Sequence, residues 1–270
     1  MKNKIIVPTD FTKAADQALS QAIVISMKAG SSLTLLHVID GKSELAYDAG
    51  ERLNTEAEKI RQNSGIACEV LVKEGKPFDI IPQTVMEKDF DLMVIGTHGY
   101  SGIRQKLFGT DMLKLVAKVP IPLLVVQEGA PVVESFSRIV LPVGGHDNFQ
   151  QAVDAILLFA AIYDPEVHFY SIHKPGFEWT KQMLANISES TRRLEDQGVR
   201  MVRIKEEQEG FSQGYALQTL KYAHSIGADA IWMMSVASEE YPFLAKPYKE
   251  VMLLNEHQIP VLCAGGGDGA

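Results

Sequence analysis

The sequence is poor in cysteine, with only 2 among its 270 residues, Cys68 and Cys263. The two are far apart in the chain and lack the spacing of cysteine metal ligands. Each stands in an apolar, strand-like segment, residues 67–72 and 261–264, which is typical of a buried thiol. The sequence therefore offers no disulfide framework and no cysteine-based metal site, and it suits a reducing compartment.

Long hydrophobic runs and an excess of positive charge are also absent. The N-terminal apolar stretch, residues 5–7, ends at a proline and is too short for a signal peptide. No stretch approaches the ~18 apolar residues of a membrane span. With 26 basic and 34 acidic residues the net charge is -8, so no basic face can displace counterions from a nucleic acid. We therefore expect a cytoplasmic globular protein that binds neither membrane nor nucleic acid.

The most informative feature that is present is an internal repeat. Residues 3–9, NKIIVPT, resemble residues 137–143, SRIVLPV, at an offset of 134. Residues 121–126, IPLLVV, resemble residues 259–264, IPVLCA, at an offset of 138. The chain therefore contains two copies of one repeat, and the second copy has a short insertion between these two matches.

The repeat predicts two domains, residues 1–130 and residues 137–270, joined by a short linker with glycine and proline. In both, apolar strands alternate with helical patterns, and Asp91 of the first copy matches Asp229 of the second. Such strands, separated by helices, indicate a parallel sheet covered on both faces. The predicted fold class is α/β, with two tandem five-stranded, doubly wound parallel-sheet domains. The glycines at 265–267 are interpreted as a frayed end.

Residues 96–111, GTHGYSGIRQKLFGTD, place four glycines directly after an apolar run that reads as a buried strand. Ligands of open α/β sheets bind beyond the carboxyl ends of the strands, so this segment stands where a ligand would be. The glycine patterns of dinucleotide sites and P-loops, G-x-G-x-x-G and G-x-x-x-x-G-K-[ST], are absent. The turn after the first strand, residues 8–12, has no glycine either, which argues against a dinucleotide-type Rossmann site.

The physical interpretation of this segment is an anion cradle. Glycine lets the backbone approach a ligand closely. Thr110 would be the N-cap of a helix over residues 111–118, whose free N–H groups attract phosphate. A flexible surface loop with four unrelated glycines is the alternative. Asp111 counts against the cradle, because a carboxylate in the first helical turn repels phosphate.

The glycine spacing, G-2x-G-9x-G-[ST], resembles the nucleotide loop of the ATP-binding subclass of the universal stress protein family. Three strand segments agree with that resemblance. Residues 6–11, IVPTDF, are similar to the family's first strand and adenine-side turn, residues 35–40, LLHVID, to its second strand, and residues 121–126 to its last. The resemblance covers essentially the whole chain as two tandem domains.

The resemblance implies the adenine nucleotide alpha-hydrolase-like topology and a stress-response sensor or regulatory module that binds ATP, with or without magnesium. It implies no catalytic and no metal-binding residue, and it implies that Asp10 contacts the adenine. The implied nucleotide-binding residues are Pro8, Thr9, Asp10, Val38, Gly96, Gly99, Gly109 and Thr110. It also implies an internal pseudo-dimer, in which the domains pair through residues 123–127 and 260–264. A homodimer of whole chains stays open.

The second copy departs from the nucleotide pattern. At the two offsets, the residues that stand in place of Asp10, Gly96, Gly99, Gly109 and Thr110 are Gly144, Met234, Ala237, Pro247 and Tyr248. Proline has no N–H to offer a phosphate. We therefore expect one nucleotide per chain, bound by the first copy.

Two other functions remain open from the sequence. One is an interaction protein of the same fold whose nucleotide site has lapsed. The other is a slow ATPase or nucleotidyl transferase. His37 is interpreted as a hydrogen-bonded core histidine, and His98 has no nearby nucleophile or metal-ligand cluster to serve.

Overall fold

A computed structural model describes most of the chain, with gaps in several loops and at both ends. Within three helices, the side chains of residues 44–47, 105–111 and 245–247 lie outside the description. The described residues are 4–39, 44–98, 105–173, 176, 178–207, 214–236 and 245–267.

The first half alternates strands and helices. Its elements are β1 (Lys4–Pro8), α1 (Lys13–Ala29), β2 (Ser32–Ile39), α2 (Glu44–Ser64), β3 (Cys68–Glu74), α3 (Pro77–Glu87), β4 (Leu92–Thr97), α4 (Gln105–Lys118) and β5 (Leu123–Gln127). The second half repeats this alternation. Its elements are β6 (Arg138–Pro142), α5 (Gln150–Ala160), β7 (Glu166–His173), α6 (Lys181–Asp196), β8 (Arg200–Glu207), α7 (Tyr215–Ser225), β9 (Ala230–Met234), α8 (Ala245–Leu253) and β10 (Val261–Ala264).

The ten strands form one sheet in the order β3-β2-β1-β4-β5-β10-β9-β6-β7-β8. Within each half the neighbouring strands are parallel. The halves meet where β5 and β10 pair antiparallel, with Val261 opposite Val125 and Cys263 opposite Leu123. The second half has the strand order of the first. The α/β prediction, with doubly wound parallel halves that pair through their last strands, is confirmed.

Helix α1 illustrates how local sequence makes an element. The Thr12 side chain accepts a hydrogen bond from Ala15 N as the N-cap, and Gly30 closes the helix with φ 64, a conformation that glycine adopts without strain. Small and aliphatic residues recur at helical spacing between these ends, and the buried ones include Ala18, Ala22 and Ile25. This stripe packs α1 against the sheet.

The repeat is visible in individual contacts. The carboxylate of Asp91 accepts from Lys4 N at 3.3 Å, and that of its counterpart Asp229 accepts from Arg138 N at 2.8 Å. In each half this bond ties the first strand to the one beside it at the amino edge. One apolar core, on the face of α1, α2, α5 and α6, and a second, on the face of α3, α4, α7 and α8, both extend across the two halves.

The C-terminal glycines are not a frayed end over residues 265–267, so that expectation was wrong. Gly267 N donates to Ala117 O at 2.9 Å, which satisfies a carbonyl at the end of α4. A Cβ atom on Gly266 would lie 2.2 Å from Val119 O. Glycine is required here because the backbone of the second half closes directly over the end of a helix of the first.

Both cysteines are free thiols and buried, as predicted. Burial raises the pKa of Cys68 to about 11 and that of Cys263 to about 12, so both are protonated at neutral pH. Among the described helices, none has the length and apolar character needed to cross a membrane.

Candidate functional site

The carboxyl edge of the first half gathers five of the eight predicted nucleotide residues. Strand β1 lies between β2 and β4, and Pro8 stands beside Leu36 of β2. Beyond this point Thr9 and Asp10 follow the end of β1, and Val38 lies two residues after Leu36 in β2. Gly96 lies near the end of β4. Strand order reverses between β1 and β4, which is where open α/β sheets bind ligands.

The turn from β1 into α1 is held by its own side chains. Thr9 N donates to Leu36 O at 2.8 Å, and Thr9 Oγ1 accepts from Phe11 N at 3.1 Å. Asp10 Oδ1 accepts from Thr12 N at 3.1 Å and from Thr12 Oγ1 at 2.6 Å. The Asp10 side chain is exposed, and in the described part of the chain its Oδ2 has no hydrogen-bond donor. The carboxylate is thus oriented, with one oxygen available to a ligand.

Gly96 has a packing role that sequence reasoning missed. A Cβ atom there would lie 2.0 Å from Ala14 O and 2.3 Å from Ala14 C, in the first turn of α1. The strand and the helix backbone are in direct contact, so no larger residue fits. Gly96 therefore brings the N-terminus of α1 close to the carboxyl edge of the sheet.

The expectation for the start of α4 was wrong. The helix begins at Gln105, so Gly109 and Thr110 lie inside it and Thr110 is not its N-cap. Amides beyond the first turn of a helix donate within the helix, so those of Gly109 and Thr110 are not free in this conformation. The side chains of Thr110 and Asp111 lie outside the described residues, as does the whole of Gly99.

Beside this edge, between α1 and α2, lies a cleft of about 630 Å³. Its lining includes Thr9, Phe11, Asp16, Leu35, Arg52 and Leu53. The sequence did not indicate that α2 forms a wall, because the polar face of a helix is ordinarily solvated.

Phe11 connects the cleft to the β1–α1 turn. The Arg52 guanidinium lies 4.0 Å from the Phe11 ring centroid, and the ring of His37 lies 4.7 Å away. His37 Nδ1 donates to Thr9 O at 2.8 Å. His37 is therefore a hydrogen-bonded structural histidine, as predicted.

The geometry gives His98 a partner instead of a reactive position. Its Nδ1 lies 2.9 Å from Glu128 Oε2, with both side chains about one-third exposed. No group of three or more histidine, cysteine, aspartate or glutamate side chains is arranged to hold a metal ion among the residues described.

The matching edge of the second half has larger residues in place of glycine and threonine. Met234 is 5% exposed and packs against Gly265. Pro247 lies in the first turn of α8. Burial raises the pKa of Tyr248 to about 12. Among the described side chains, Met234 and Tyr248 therefore stand where the first half has Gly96 and Thr110.

Residues 1–127 match the model of the Universal stress protein family. A universal stress protein of Methanocaldococcus jannaschii is 25% identical over 139 residues, covering 46% of this chain and 82% of that protein. One of Synechocystis is 28% identical over 149 residues, covering 46% of this chain and 97% of that protein. A solved universal stress protein from Archaeoglobus fulgidus covers 99% of this chain and 98% of its own, with TM-score 0.77 and 18% identity. That likeness extends the fold to both halves.

Proposed function

From the match of residues 1–127 to the universal stress protein family, we propose that the first half of the chain binds ATP and that the protein acts as a stress-response sensor or regulatory module. The adenine would lie at the carboxyl edge of β1 and β2, against Pro8, Thr9 and Val38. The phosphates would lie toward Gly96 and the start of α4. ATP would bind with or without magnesium.

The observation that supports this proposal most directly is the state of Asp10. Its Oδ1 is held by Thr12, while the carboxylate is exposed at the switch point of the sheet. An oriented carboxylate oxygen is a suitable acceptor for an exocyclic amino group of a base. The residues at the adenine end therefore fit the nucleotide.

A second candidate function is favoured by the conformation of α4. Because the amides of Gly109 and Thr110 lie within the helix, a phosphate reaching them requires the first turn of α4 to unwind. A protein in which this turn stays wound would be an interaction module of the same fold with a lapsed nucleotide site.

Calorimetric titration of the full chain with ATP and with adenosine separates the two. We expect one site per chain. Asp10→Asn keeps an acceptor for Thr12 and can replace the free oxygen by an amide nitrogen, so it should weaken both ligands about tenfold. Asp147→Asn, at an exposed aspartate after β6, is the matched control and should bind like wild type. Absence of binding by the wild-type chain would establish the interaction module instead.

A further inference from the structure

A buried lysine lies at the carboxyl edge of the second half. Lys249, in the middle of α8, is only 9% exposed. Its Nζ donates to the carbonyl oxygen of Ser235, the residue that follows β9. An ammonium group has three N–H donors, and one is used by the described residues.

No carboxylate among the described residues is paired with this ammonium group. Burial lowers the pKa of Lys249 to about 8, and Cys263 on β10 is the titratable group whose charge acts on it. Cys263 is itself held neutral by a raised pKa. Helices α7 and α4 pack against α8. The other titratable side chains described on these three helices are Tyr248 and Glu250 on α8, Tyr215, Lys221, Tyr222 and His224 on α7, and Lys114 and Lys118 on α4. None of these supplies a counter-charge to Lys249.

Buried charges in proteins are ordinarily paired, because an isolated charge loses its hydration without compensation. Here the charge stands at the end of β9, beside the point where strand order reverses between β9 and β6. Parallel sheets bind ligands at such points. The lysine thus has unused donors, no described counter-ion and a place where ligands bind.

We infer that the second half holds a site for a small oxyanion, in which Lys249 is the cationic ligand. The ligand class is a phosphate- or carboxylate-bearing small molecule whose oxygens accept hydrogen bonds from the remaining N–H groups of Lys249. This site does not depend on ATP binding by the first half. Its ligand would bind the ammonium group of Lys249, whereas the phosphates of ATP would bind backbone N–H groups of the first half. At the repeat offset of 138, Lys249 stands in place of Asp111, so the halves carry opposite charges at this position.

The test observes Lys249 itself, by NMR of full-length protein labelled at lysine Nζ and Cε. Sulfate is the probe, because it stays a dianion throughout the pH range used. In sulfate-free buffer the Lys249 resonance should titrate near its lowered pKa, and saturating sulfate should move that midpoint upward by one unit or more. Because binding needs the protonated amine, sulfate affinity should fall about thirtyfold between pH 7 and pH 9.5. Inorganic phosphate and acetate, titrated at pH 7, distinguish the phosphate from the carboxylate source.

Two variants control for sites elsewhere in the chain. Lys249→Met should lose the sulfate effect, while Lys181→Met, at an exposed lysine of α6, should keep it. Lys249→Gln retains a hydrogen-bond donor for Ser235 but not the charge, and it should also lose the sulfate effect. It therefore serves as a second variant if Lys249→Met does not fold. A Lys249 resonance indifferent to sulfate, phosphate and acetate would overturn the inference. So would a calorimetric sulfate affinity that Lys249→Gln leaves unchanged.

Discussion

The two halves of the chain share a strand order but differ in what they place at their carboxyl edges. The first half presents an exposed carboxylate at Asp10 and a glycine in contact with α1. The second half has a buried Met234 in place of that glycine and a buried Lys249 beside the end of β9. The strand order depends on apolar residues in the sheet, whereas the chemistry of an edge depends on a few residues beyond the strand ends. One fold can therefore carry different chemistry at the carboxyl edges of its two halves.

The largest effect should come from the position where the first half requires glycine and the second has Met234. Gly96→Ala places a Cβ atom against the backbone of Ala14, and we expect it to lower the unfolding free energy by about 3 kcal/mol or more. Gly50→Ala is the matched control, since Gly50 lies in α2 with no atom within 4 Å of an added Cβ. That variant should gain about 0.5–1 kcal/mol. Urea denaturation without ligand measures both, and equal stability of the two variants would contradict the packing role.

The buried cation should give the second half a pH dependence of its own. The pKa of Lys249 is lowered from 10.5 to about 8 by burial, so the unfolded chain binds more protons between these pH values. Lys249 therefore contributes a rise in stability with pH across this window, of up to about 3 kcal/mol relative to Lys249→Met in anion-free buffer. The buried thiols of Cys68 and Cys263, whose pKa values are raised, lower stability above about pH 9 in wild type and variants alike. Lys249→Met should lack the rise, and Lys181→Met should retain it. Denaturation series at pH 7, 8.5 and 10 make the comparison, and a parallel rise in Lys249→Met would count against it.

Nucleotide affinity tests the asymmetry directly. If Gly99 approaches phosphate closely, Gly99→Ala should weaken ATP by about 1–3 kcal/mol, which is roughly ten- to hundredfold. Ala237→Gly in the second half should restore nothing, because Pro247 still lacks an N–H. Calorimetry that finds two equivalent sites per chain, or no effect of Gly99→Ala, would reject the assignment of one nucleotide to the first half.

The smallest effect concerns the charge reversal between positions 111 and 249. If the phosphates of ATP reach Gly109 and Thr110, the neighbouring carboxylate of Asp111 repels them, so Asp111→Asn should tighten ATP by a few tenths to ~1 kcal/mol. The gain should be larger for ATP than for adenosine and should shrink at high salt. Asp147→Asn again serves as control. An equal gain for both ligands would show that the substitution acts on the fold and not on charge.

Most of the fold was predictable because it follows from local patterns. The apolar runs indicated the strands, and the repeat indicated that the second half has the fold of the first. Each of these depends on residues close together in the chain. The pairing of β5 with β10 is the exception, since it was implied by family resemblance, and its antiparallel direction was not predicted.

The errors arose where distant segments meet or where local signals compete. Thr110 is a good N-cap, yet Gln105, Lys106 and Leu107 before it are strong helix formers, and the helix extends through them. The sequence shows Gly96 and Gly266 but not that Ala14 and Val119 lie against them. The sequence alone does not distinguish a glycine needed for packing from a glycine needed for ligand binding. The distinction requires the position of the neighbouring backbone.

Because β5 and β10 run in opposite directions, the two carboxyl edges face opposite ends of the sheet. A partner or surface that docks flat against one edge leaves the other in contact with the solution. Helix α4 extends between these ends. It begins near the carboxyl edge of the first half, and its C-terminal end contacts Gly266 and Gly267 of the second half. With 14 residues it is about 21 Å long. If the first turn of α4 unwinds around a phosphate, it does so in a helix whose other end contacts Gly266 and Gly267 of the second half.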